Sequence, residues 1–512
     1  MYDKTVSFAV HGIDAEKVTV EADLKSGIGK FNIVGLPSNS VKESKERIIS
    51  AIKNSGYPFP AYNYTINLAP ADVKKDGVAL DLPTAVAILS AMGRIRSDIT
   101  ANYAMAGELS LDGELRPVRG ILPIAIAAWK SKLEGIILPL QNAEEAGAIE
   151  GLNVYAVKSL KEVIMFLEGE LKLKPYESKY KAGHVTNLQV NDMFDVKGQF
   201  QIKRALEIAA AGGHNILMIG PPGSGKTMLS RRLPSILPEL TFEEALETTK
   251  IHSVAGLLQN KEEGIIKTRP FRSPHHTISD VALIGGGSYP KPGEVSLAHN
   301  GVLFLDELPE FKKTVLEVLR QPLEDGVVTI SRAAQSFTFP AKFMLVASMN
   351  PCPCGYYGSN IEGHECNCSI NQVQRYRSKI SGPLLDRIDL HVEVPAVNYQ
   401  DLSGMPSGEK SSDIRRRADE SRKIQLERFK KDKIFRNSEM SSRQIRRYCE
   451  LDKECSDILK MAMDKKGFSA RAYDRILKVA RTIADLEFSE KIKVNHISEA
   501  VQYRMLDKKY WA

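Results

Sequence analysis

The sequence predicts an α/β protein whose central part is a P-loop fold built on a parallel sheet. A phosphate-binding motif at 220–227 stands between an apolar strand pattern at 215–219 and a helical pattern at 228–233. A second apolar strand pattern, at 301–305, ends in two adjacent acids. In the N-terminal region, short strand patterns alternate with helical ones, which is the order typical of α/β domains.

The first domain is expected over 1–170, with a compact α/β or α+β character. Its strand and helix patterns are short and separated by turn residues. The pair Asp112 and Gly113 predicts a hairpin turn within 108–118. The strand patterns lie at 5–10, 64–68, 135–140 and 153–157, and the helical patterns at 40–55 and 82–92.

A linker is expected over 171–191, because that stretch is polar and has no clear period. A second α/β region follows over 192–397, and a helical, highly charged region runs over 398–512. Apolar residues recur at helical spacing between 469 and 486, which predicts a helix packed against another element. Three domains agree with the length, because 512 residues exceed what one compact domain normally holds.

The composition is that of an ordinary globular protein, with 43% hydrophobic and 26% charged residues. The first residues lack the basic and apolar regions of a secretory signal, and no apolar run is long enough to cross a bilayer. A cytoplasmic protein without a membrane partner is therefore expected. The formal charge of +7 is mild, but basic residues concentrate after 410. Either a solvated helix face or a surface that meets a polyanion accounts for this clustering.

The motif at 220–227 fits the pattern of ATP-binding loops, G-x-x-x-x-G-K-[ST]. Its glycines let backbone N–H groups curl around phosphate oxygens. Lys226 is expected to reach the β- and γ-phosphates of ATP, and the Thr227 hydroxyl to hold Mg²⁺. The predicted cofactor-binding residues are Gly220, Pro221, Pro222, Gly223, Ser224, Gly225, Lys226, Thr227 and Asp306.

Two acids and one amide complete the predicted hydrolytic centre. Asp306 would bind Mg²⁺ through water, and Glu307 would polarise the water that attacks the γ-phosphate. Asn350 follows a strand pattern at 342–348, and its amide could touch the γ-phosphate or orient that water. These residues point to hydrolysis of ATP with Mg²⁺ as cofactor.

Four longer segments carry a family resemblance. They are DMFDVKGQ at 192–199, RPFRSPHHT at 269–277, GEVSLAH at 293–299 and GPLLDRIDL at 382–390. Together with the P-loop and the acidic strand, they make the chain similar to the magnesium-chelatase-like ComM/YifB family of AAA+ ATPases over essentially its whole length. The resemblance implies an AAA+ core with a parallel sheet, an N-terminal Lon-protease-like (S5-like) domain and a C-terminal helical lid.

The resemblance also assigns roles to two arginines. Arg387 corresponds to the arginine finger that reaches the γ-phosphate of a neighbouring subunit, and Arg471 matches the second sensor arginine of the lid. Because such arginines stabilise phosphoryl charge that a lone subunit cannot fully neutralise, the active form should be a ring, and a hexamer is expected. The predicted catalytic residues are Glu307, Asn350, Arg387 and Arg471.

Two segments resemble elements of the MCM replicative helicases. Residues 282–293 are similar to a helix-2 insert, and residues 327–339 to the hairpin that precedes the first sensor strand. In a ring, both would project toward the central pore, where Arg332 and Lys291 could meet DNA phosphates. A hairpin that only braces the subunit interface is the alternative.

Four of the six cysteines lie close together in the sequence. They are Cys352, Cys354, Cys366 and Cys368, which form two Cys-x-Cys pairs. Four thiolates can bind a tetrahedral Zn²⁺, and such a site would stiffen a loop too polar to build its own core. Independent buried or redox-active thiols are the alternative.

The Lon-like N-terminal region lacks the catalytic pair of the Lon proteases. By this resemblance, Ala79 falls at the position of the serine nucleophile, and the position of the lysine base falls at about Leu122. Neither side chain can take part in a Ser–Lys mechanism, which needs both groups within hydrogen-bond reach. We therefore expect no protease activity and interpret this domain as a scaffold or a collar that guides DNA.

The resemblance favours a ring motor that acts on DNA as the leading hypothesis. It implies a helicase that promotes branch migration during homologous recombination or natural transformation. The second hypothesis is a chelatase-like subunit that remodels a partner protein with the energy of ATP. An ATP-dependent protease is the third, and the missing serine and lysine argue against it. Stimulation of ATP hydrolysis by DNA would distinguish the first hypothesis from the second.

Overall fold

The computed structural model describes the chain except for residues 73–74, 76, 179–190, 259–263, 288–289, 332–335, 360–363, 397–407, 433, 467, 507–509 and 511–512. The strands are β1 (Tyr2–His11), β2 (Asp14–Ser26), β3 (Phe31–Val34), β4 (Tyr62–Ala69), β5 (Tyr103–Met105), β6 (Glu108–Leu109), β7 (Leu115–Arg116), β8 (Gly135–Pro139), β9 (Val154–Val157), β10 (Ile216–Ile219), β11 (Phe271–Arg272), β12 (Gly285–Gly286), β13 (Lys291–Pro292), β14 (Val302–Leu305), β15 (Val327–Ser331), β16 (Ser336–Pro340), β17 (Met344–Met349) and β18 (Leu390–Glu393).

The helices are α1 (Asn39–Asn54), α2 (Asp81–Ala91), α3 (Ser97–Thr100), α4 (Ile121–Lys130), α5 (Ala143–Gly147), α6 (Leu160–Leu167), α7 (Phe200–Gly212), α8 (Lys226–Arg232), α9 (Phe242–Ala255), α10 (Asp280–Ile284), α11 (Glu294–Leu297), α12 (Lys313–Glu317), α13 (Arg320–Asp325), α14 (Ile370–Arg377), α15 (Gly382–Leu385), α16 (Ser411–Arg428), α17 (Ser442–Tyr448), α18 (Lys453–Lys466), α19 (Ala470–Leu486) and α20 (Val494–Gln502). In the described part of the chain, no helix combines the length and apolar character needed to cross a bilayer.

The N-terminal sheet has seven strands in the order β3-β4-β2-β1-β5-β8-β9. Strand β1 pairs antiparallel with β2 and parallel with β5; beyond β2, strand β4 is antiparallel to β2 and parallel to β3. Successive side chains of a strand point to opposite faces. In β8, Ile137 therefore packs in one core with α1, α2 and α6, while Ile136 and Leu138 pack in another with α4 and α5. The sheet is covered on both faces, and every residue of α2 is buried.

The central sheet has five parallel strands in the order β11-β14-β17-β10-β18. All residues of β10, β14 and β17 are buried, as expected for a parallel sheet with both faces covered. In β10, Leu217 belongs to one core and Met218 to the other. The carboxyl ends of β10, β14 and β17 meet at one edge, and this edge carries the nucleotide motifs.

The C-terminal helices pack against one face of the central sheet. Helix α19 begins at a serine cap, in which Ser469 accepts from the backbone N–H of Ala472. Its apolar residues Ile476, Val479 and Ile483 are buried in the core that α7 shares with the sheet. The helix predicted over 469–486 is confirmed, and it is packed because its apolar positions recur on one side.

The predicted α/β class and parallel central sheet are confirmed. The hairpin expected within 108–118 is also present, since β6 pairs antiparallel with β7 and Gly113 has a φ of 91°. The domain limits at 170, 191 and 397 stay predictions, and 179–190 of the expected linker lie outside the described residues.

Among the described residues, the contacts between the N-terminal domain and the central domain include one at the end of β1 and one along α4. His11, the last residue of β1, stacks on Phe337 of β16, with ring centroids 4.6 Å apart. Helix α4 packs along α9, where the backbone N–H of Gly120 donates to the carbonyl of Ser253 at 3.2 Å. Both contacts reach elements that are continuous with the nucleotide-binding domain.

Candidate functional site

The phosphate-binding loop lies where β10 ends and α8 begins. Gly223 and Gly225 have φ values of 75° and 88°, a conformation that side chains with a Cβ rarely adopt. At Gly220, a Cβ atom would lie 2.2 Å from the carbonyl oxygen of Val394. Glycine is therefore required at these three positions for the backbone to turn closely before the helix.

The Lys226 ammonium lies inside this loop. Its Nζ donates to the carbonyl oxygens of Gly220 and Pro221, both at 2.8 Å, and to Asn350 Oδ1 at 3.3 Å. Burial lowers the pKa of Lys226 to about 8, although the nearby carboxylates of Asp306 and Glu307 favour the charged form. The ammonium is thus positioned to exchange carbonyl partners for phosphate oxygens.

Oxygen ligands suitable for Mg²⁺ converge at the ends of β14 and α8. The Thr227 hydroxyl donates to Asp306 Oδ2 at 2.7 Å, and the Ser348 hydroxyl donates to the other oxygen of the same carboxylate. Hydroxyl and carboxylate oxygens are the ligands that Mg²⁺ prefers, so Thr227 and Asp306 fit the ion. When bound, Mg²⁺ would neutralise phosphate charge at this point.

Glu307 lies beside Asp306 in an unusual backbone conformation. Its φ is 54°, which turns its side chain away from the strand direction and leaves 54% of it exposed. His276 Nδ1 approaches Glu307 Oε2 to 3.7 Å. A carboxylate that is exposed at the strand end can reach a water molecule next to the γ-phosphate, and the catalytic role of Glu307 stays a prediction.

Sequence reasoning missed three residues that contact this site: Ser348, His276 and Gln199. Ser348 holds the Asp306 carboxylate, His276 lies beside Glu307, and Gln199 Nε2 donates to the carbonyl of Ser224 at 2.9 Å. Gln199 and His276 stand in two of the segments that carry the family resemblance, and Ser348 ends the strand pattern at 342–348, but none of them was assigned a role because their meeting at the site depends on how distant segments pack.

The two predicted trans-acting arginines lie at the opposite edge of the central sheet. Arg387 precedes β18, and its carbonyl accepts from the Asn215 side chain just before β10. Four residues of β10 separate that edge from the P-loop, a distance of roughly 13 Å at about 3.3 Å per residue. The Arg387 guanidinium pairs with Glu324, and Arg471 Nη1 lies 3.7 Å from Asp386 Oδ2. Both arginines line one open cavity of about 610 Å³.

Two adjoining hairpins lie where the DNA-contacting residues were predicted. Strands β12 and β13 pair antiparallel, as do β15 and β16. A Cβ at Gly285 of the first hairpin would lie 2.9 Å from Ile330 Cδ1 of the second, so the two hairpins pack together. Lys291 is exposed, and it lines a cavity of about 410 Å³ that also contains Ala79. Arg332 lies outside the described residues.

The four cysteines predicted to bind a metal come together. The ligand sulfurs of Cys352, Cys354, Cys366 and Cys368 all lie within 4.8 Å of one another. Cys352 Sγ is 3.3 Å from Cys354 Sγ and 3.7 Å from Cys366 Sγ. Zinc–sulfur bonds of about 2.3 Å in a tetrahedron place sulfurs roughly 3.8 Å apart. The cluster therefore fits a mononuclear zinc site.

Fold and site together define a P-loop ATPase of the AAA+ type, with ATP and Mg²⁺ as the implied ligands. Residues 192–402 match the family described as "Magnesium chelatase, subunit ChlI". Residues 20–142 match "Subunit ChlI of Mg-chelatase", and residues 408–504 match "Magnesium chelatase, subunit ChlI C-terminal". The chain belongs to the ComM/YifB family of magnesium-chelatase-like AAA+ proteins.

Full-length relatives support this assignment. Competence protein ComM of Haemophilus influenzae is 45% identical, over 98% of this chain and 97% of its own length. The uncharacterized protein YifB of Escherichia coli is 44% identical, over 98% of this chain and 96% of its own. Lon protease 2 of Bacillus subtilis is 31% identical over 146 residues, which is 27% of this chain. Part of this chain is therefore also similar to a Lon protease.

Proposed function

We propose that this protein is an ATP-dependent ring motor that acts on DNA, as a helicase that promotes branch migration during homologous recombination or natural transformation. The observation that carries the proposal is the separation of the P-loop from Arg387 and Arg471 by the length of the central sheet. A subunit with that arrangement supplies phosphate ligands at one edge and cations at the other. The full-length relative named Competence protein ComM supports a role in DNA uptake or recombination.

The ring follows from the chemistry of phosphoryl transfer. Charge on the transferred group is stabilised by cations placed around it, and a subunit's own Lys226 reaches only one side. Arg387 is held by Glu324, whose side chain is 61% exposed, so this pair can be exchanged for a phosphate at a subunit contact. Head-to-tail contacts that repeat in one direction form a ring when the rotation between neighbouring subunits closes. A hexamer is the ring size we propose.

We propose that the two hairpins contact DNA and that exposed basic residues of the lid add to this contact. In the sequence, Arg332 falls between β15 and β16, and the adjoining β12–β13 hairpin presents the exposed Lys291. Part of the lid's charge is used internally, because Arg417 pairs with Glu207 and Glu409. The exposed residues Arg443 and Arg446 of the lid remain available for a polyanion.

The test is the rate of ATP hydrolysis with and without single-stranded and forked DNA. We expect DNA to stimulate hydrolysis and forked DNA to be unwound or branch-migrated. Glu307→Gln should abolish hydrolysis and retain ATP binding, which excludes a contaminating enzyme. Hydrolysis that is indifferent to DNA, with no DNA binding at low salt, would refute the proposal.

A matched pair of variants separates DNA contact from catalysis. Arg332→Ala and Lys291→Ala should each weaken DNA binding and reduce the slope of log affinity against log salt by about one. Lys312→Ala, which removes an exposed lysine after the acidic strand, serves as the control for total charge. Unchanged binding in both hairpin variants would favour the reading of a hairpin that braces the interface.

Remodelling of a partner protein is the second candidate. The three matched segments, all of which are described as parts of subunit ChlI of magnesium chelatase, favour it. In that case a protein partner would stimulate hydrolysis and DNA would not, so the experiment above distinguishes the two functions.

We also infer that the four clustered cysteines hold one Zn²⁺ as a structural ion. The sulfur separations support this, and so does the absence of any helix or strand among the described residues between 352 and 368. A loop without regular structure gains its order from an ion that joins its two ends.

A further inference from the structure

The turn within the cysteine cluster is in contact with the P-loop. Gly355 follows Cys354, and its backbone N–H donates to the carbonyl of Cys352 at 3.0 Å. A Cβ built on Gly355 would lie 2.6 Å from Cδ of Pro222 and 3.9 Å from Cγ of Asn350. The backbone of this turn therefore packs against the phosphate loop from outside, with no space for a side chain.

Asn350 stands at the start of the loop that carries the cysteines. Asn350 is two residues before Cys352 and contacts the Lys226 ammonium through its amide oxygen at 3.3 Å. The next residue, Pro351, accepts a hydrogen bond from Arg377 Nε at 3.1 Å. Arg377 also lies over the Tyr357 ring, 5.1 Å from its centroid. The segment that leaves the sheet at Asn350 is thus fixed at its start, at the cysteines and on α14.

The sulfur cluster joins the two halves of this loop, and the Tyr356 ring also stacks on His364 with ring centroids 4.8 Å apart. Cys354 Sγ and Cys366 Sγ lie 3.6 Å apart across the segment that contains 360–363, which lie outside the described residues. Thiolates at that separation repel one another unless a cation lies between them. An ion bound there would hold the Cys354–Gly355 turn on Pro222 and would keep Asn350 directed at Lys226.

We propose that the four-cysteine site is a metal brace of the nucleotide site, in which bound Zn²⁺ orders the turn that supports Pro222 and Asn350 and thereby raises the affinity for ATP. This rests on the zinc site included in the proposed function. It adds a regulatory consequence, because metal occupancy sets how well the P-loop is preorganised. It involves no DNA and no neighbouring subunit.

The experiment measures metal content and nucleotide affinity on the same full-length samples. Zinc per chain is determined by elemental mass spectrometry, and the Kd for ATPγS with Mg²⁺ by calorimetry. Cys366→Ser removes a thiolate that is remote from the P-loop contact. We expect this variant to lose the zinc and to bind ATPγS more weakly by on the order of tenfold. Cys449→Ala, a buried thiol of the helical lid, should keep both values of the wild-type protein.

Two further measurements distinguish loss of the metal from misfolding of the variant. Wild-type protein stripped with a thiol reagent and reduced again should regain ATPγS affinity on addition of Zn²⁺ and not of Mg²⁺ alone. Gly355→Ala should keep its zinc and still lose affinity for ATPγS, because the added methyl group displaces Pro222. Circular dichroism verifies the fold of each sample.

The outcomes separate the layers of the proposal. Protein without stoichiometric zinc overturns the metal site itself. Zinc that can be removed with no change in the Kd for ATPγS overturns the brace and leaves the site as a purely structural one. Failure of DNA to stimulate hydrolysis bears on the proposed motor alone, since no arm of this experiment contains DNA.

Discussion

The Lys226 side chain makes ATP binding dependent on pH. Burial lowers its pKa to about 8, and only its charged form offers an ammonium to the phosphates. Because ATP favours the protonated lysine, affinity for ATP should fall as the pH rises through about 8, by up to about tenfold per pH unit. Calorimetric titration of ATPγS from about pH 7 to about pH 9.5, a range that brackets the pKa of Lys226, measures this slope.

Lys226→Arg is the matched control for this dependence. Arginine keeps its charge throughout that range, so the variant should bind more weakly and with a flat profile. Parallel profiles for the wild type and the variant would contradict the assignment of the titration to Lys226.

Sequence motifs predicted individual site residues only where those residues are neighbours in the sequence. The loop from Gly220 to Thr227 folds on its own backbone, and Asp306 ends a strand whose apolar run is visible in the sequence. Ser348 and His276 reach the same site from other segments, and their placement depends on strand order. No spacing in the sequence encodes that order.

At the scale of elements, the junction of α4 and α9 depends on one buried carboxyl group. Glu145 Oε1 accepts from the backbone N–H of Leu122 at 3.0 Å and from the Ser253 hydroxyl. Burial raises its pKa, although these hydrogen bonds act in the opposite direction. Leu122 is thus a buried part of the contact between the two domains.

This junction should lose stability as the pH rises. The folded protein favours protonated Glu145, so the contribution is fully present below the unfolded pKa of about 4.5 and is lost as the pH passes the raised folded value. Glu145→Gln keeps an acceptor for Leu122 and cannot ionise. We expect its midpoint of thermal unfolding to exceed that of the wild type by about 2–4 °C at alkaline pH, and the difference to vanish near pH 5.

Calorimetric scans of both proteins across the pH range measure that difference. Leu122→Val controls for a change in packing at the same junction, because Leu122 meets the Glu145 carboxylate only through its backbone N–H. A difference that is constant with pH would show that Glu145 stays in one protonation state throughout.

Element identities were predicted better than the partners of the elements. The helical patterns at 40–55, 82–92 and 469–486 correspond to α1, α2 and α19. Apolar residues at helical spacing predict a helix because the helical conformation places them on the same side of the chain. The contact of α4 with α9 was not predicted, since α9 has apolar and polar residues without a clear face. Interfaces of that kind depend on a few buried hydrogen bonds between segments distant in sequence.

For the whole molecule, the opposite placement of the P-loop and the arginines predicts complementation between defective subunits. Lys226→Ala cannot hold phosphate but still presents Arg387. Arg387→Ala keeps its P-loop but presents no arginine to its neighbour. Each homogeneous protein should hydrolyse ATP at least about a thousandfold more slowly than the wild type, which is the usual cost of losing such an arginine.

Mixed in equal amounts and allowed to reassemble, these two variants should regain activity. In a ring of randomly placed subunits, about a quarter of the contacts join an intact P-loop to an intact arginine, so about a quarter of the wild-type rate is expected. A mixture of Lys226→Ala with Glu307→Gln is the control, because both changes lie at the same edge of the sheet and no contact can restore a whole site. Light scattering verifies that every mixture assembles. If the first mixture forms rings but stays inactive, Arg387 does not act on the neighbouring subunit and must act within its own. The Arg387 side chain would then have to move more than about 10 Å toward the P-loop of the same subunit, because β10 separates the two. Action between subunits needs no such movement.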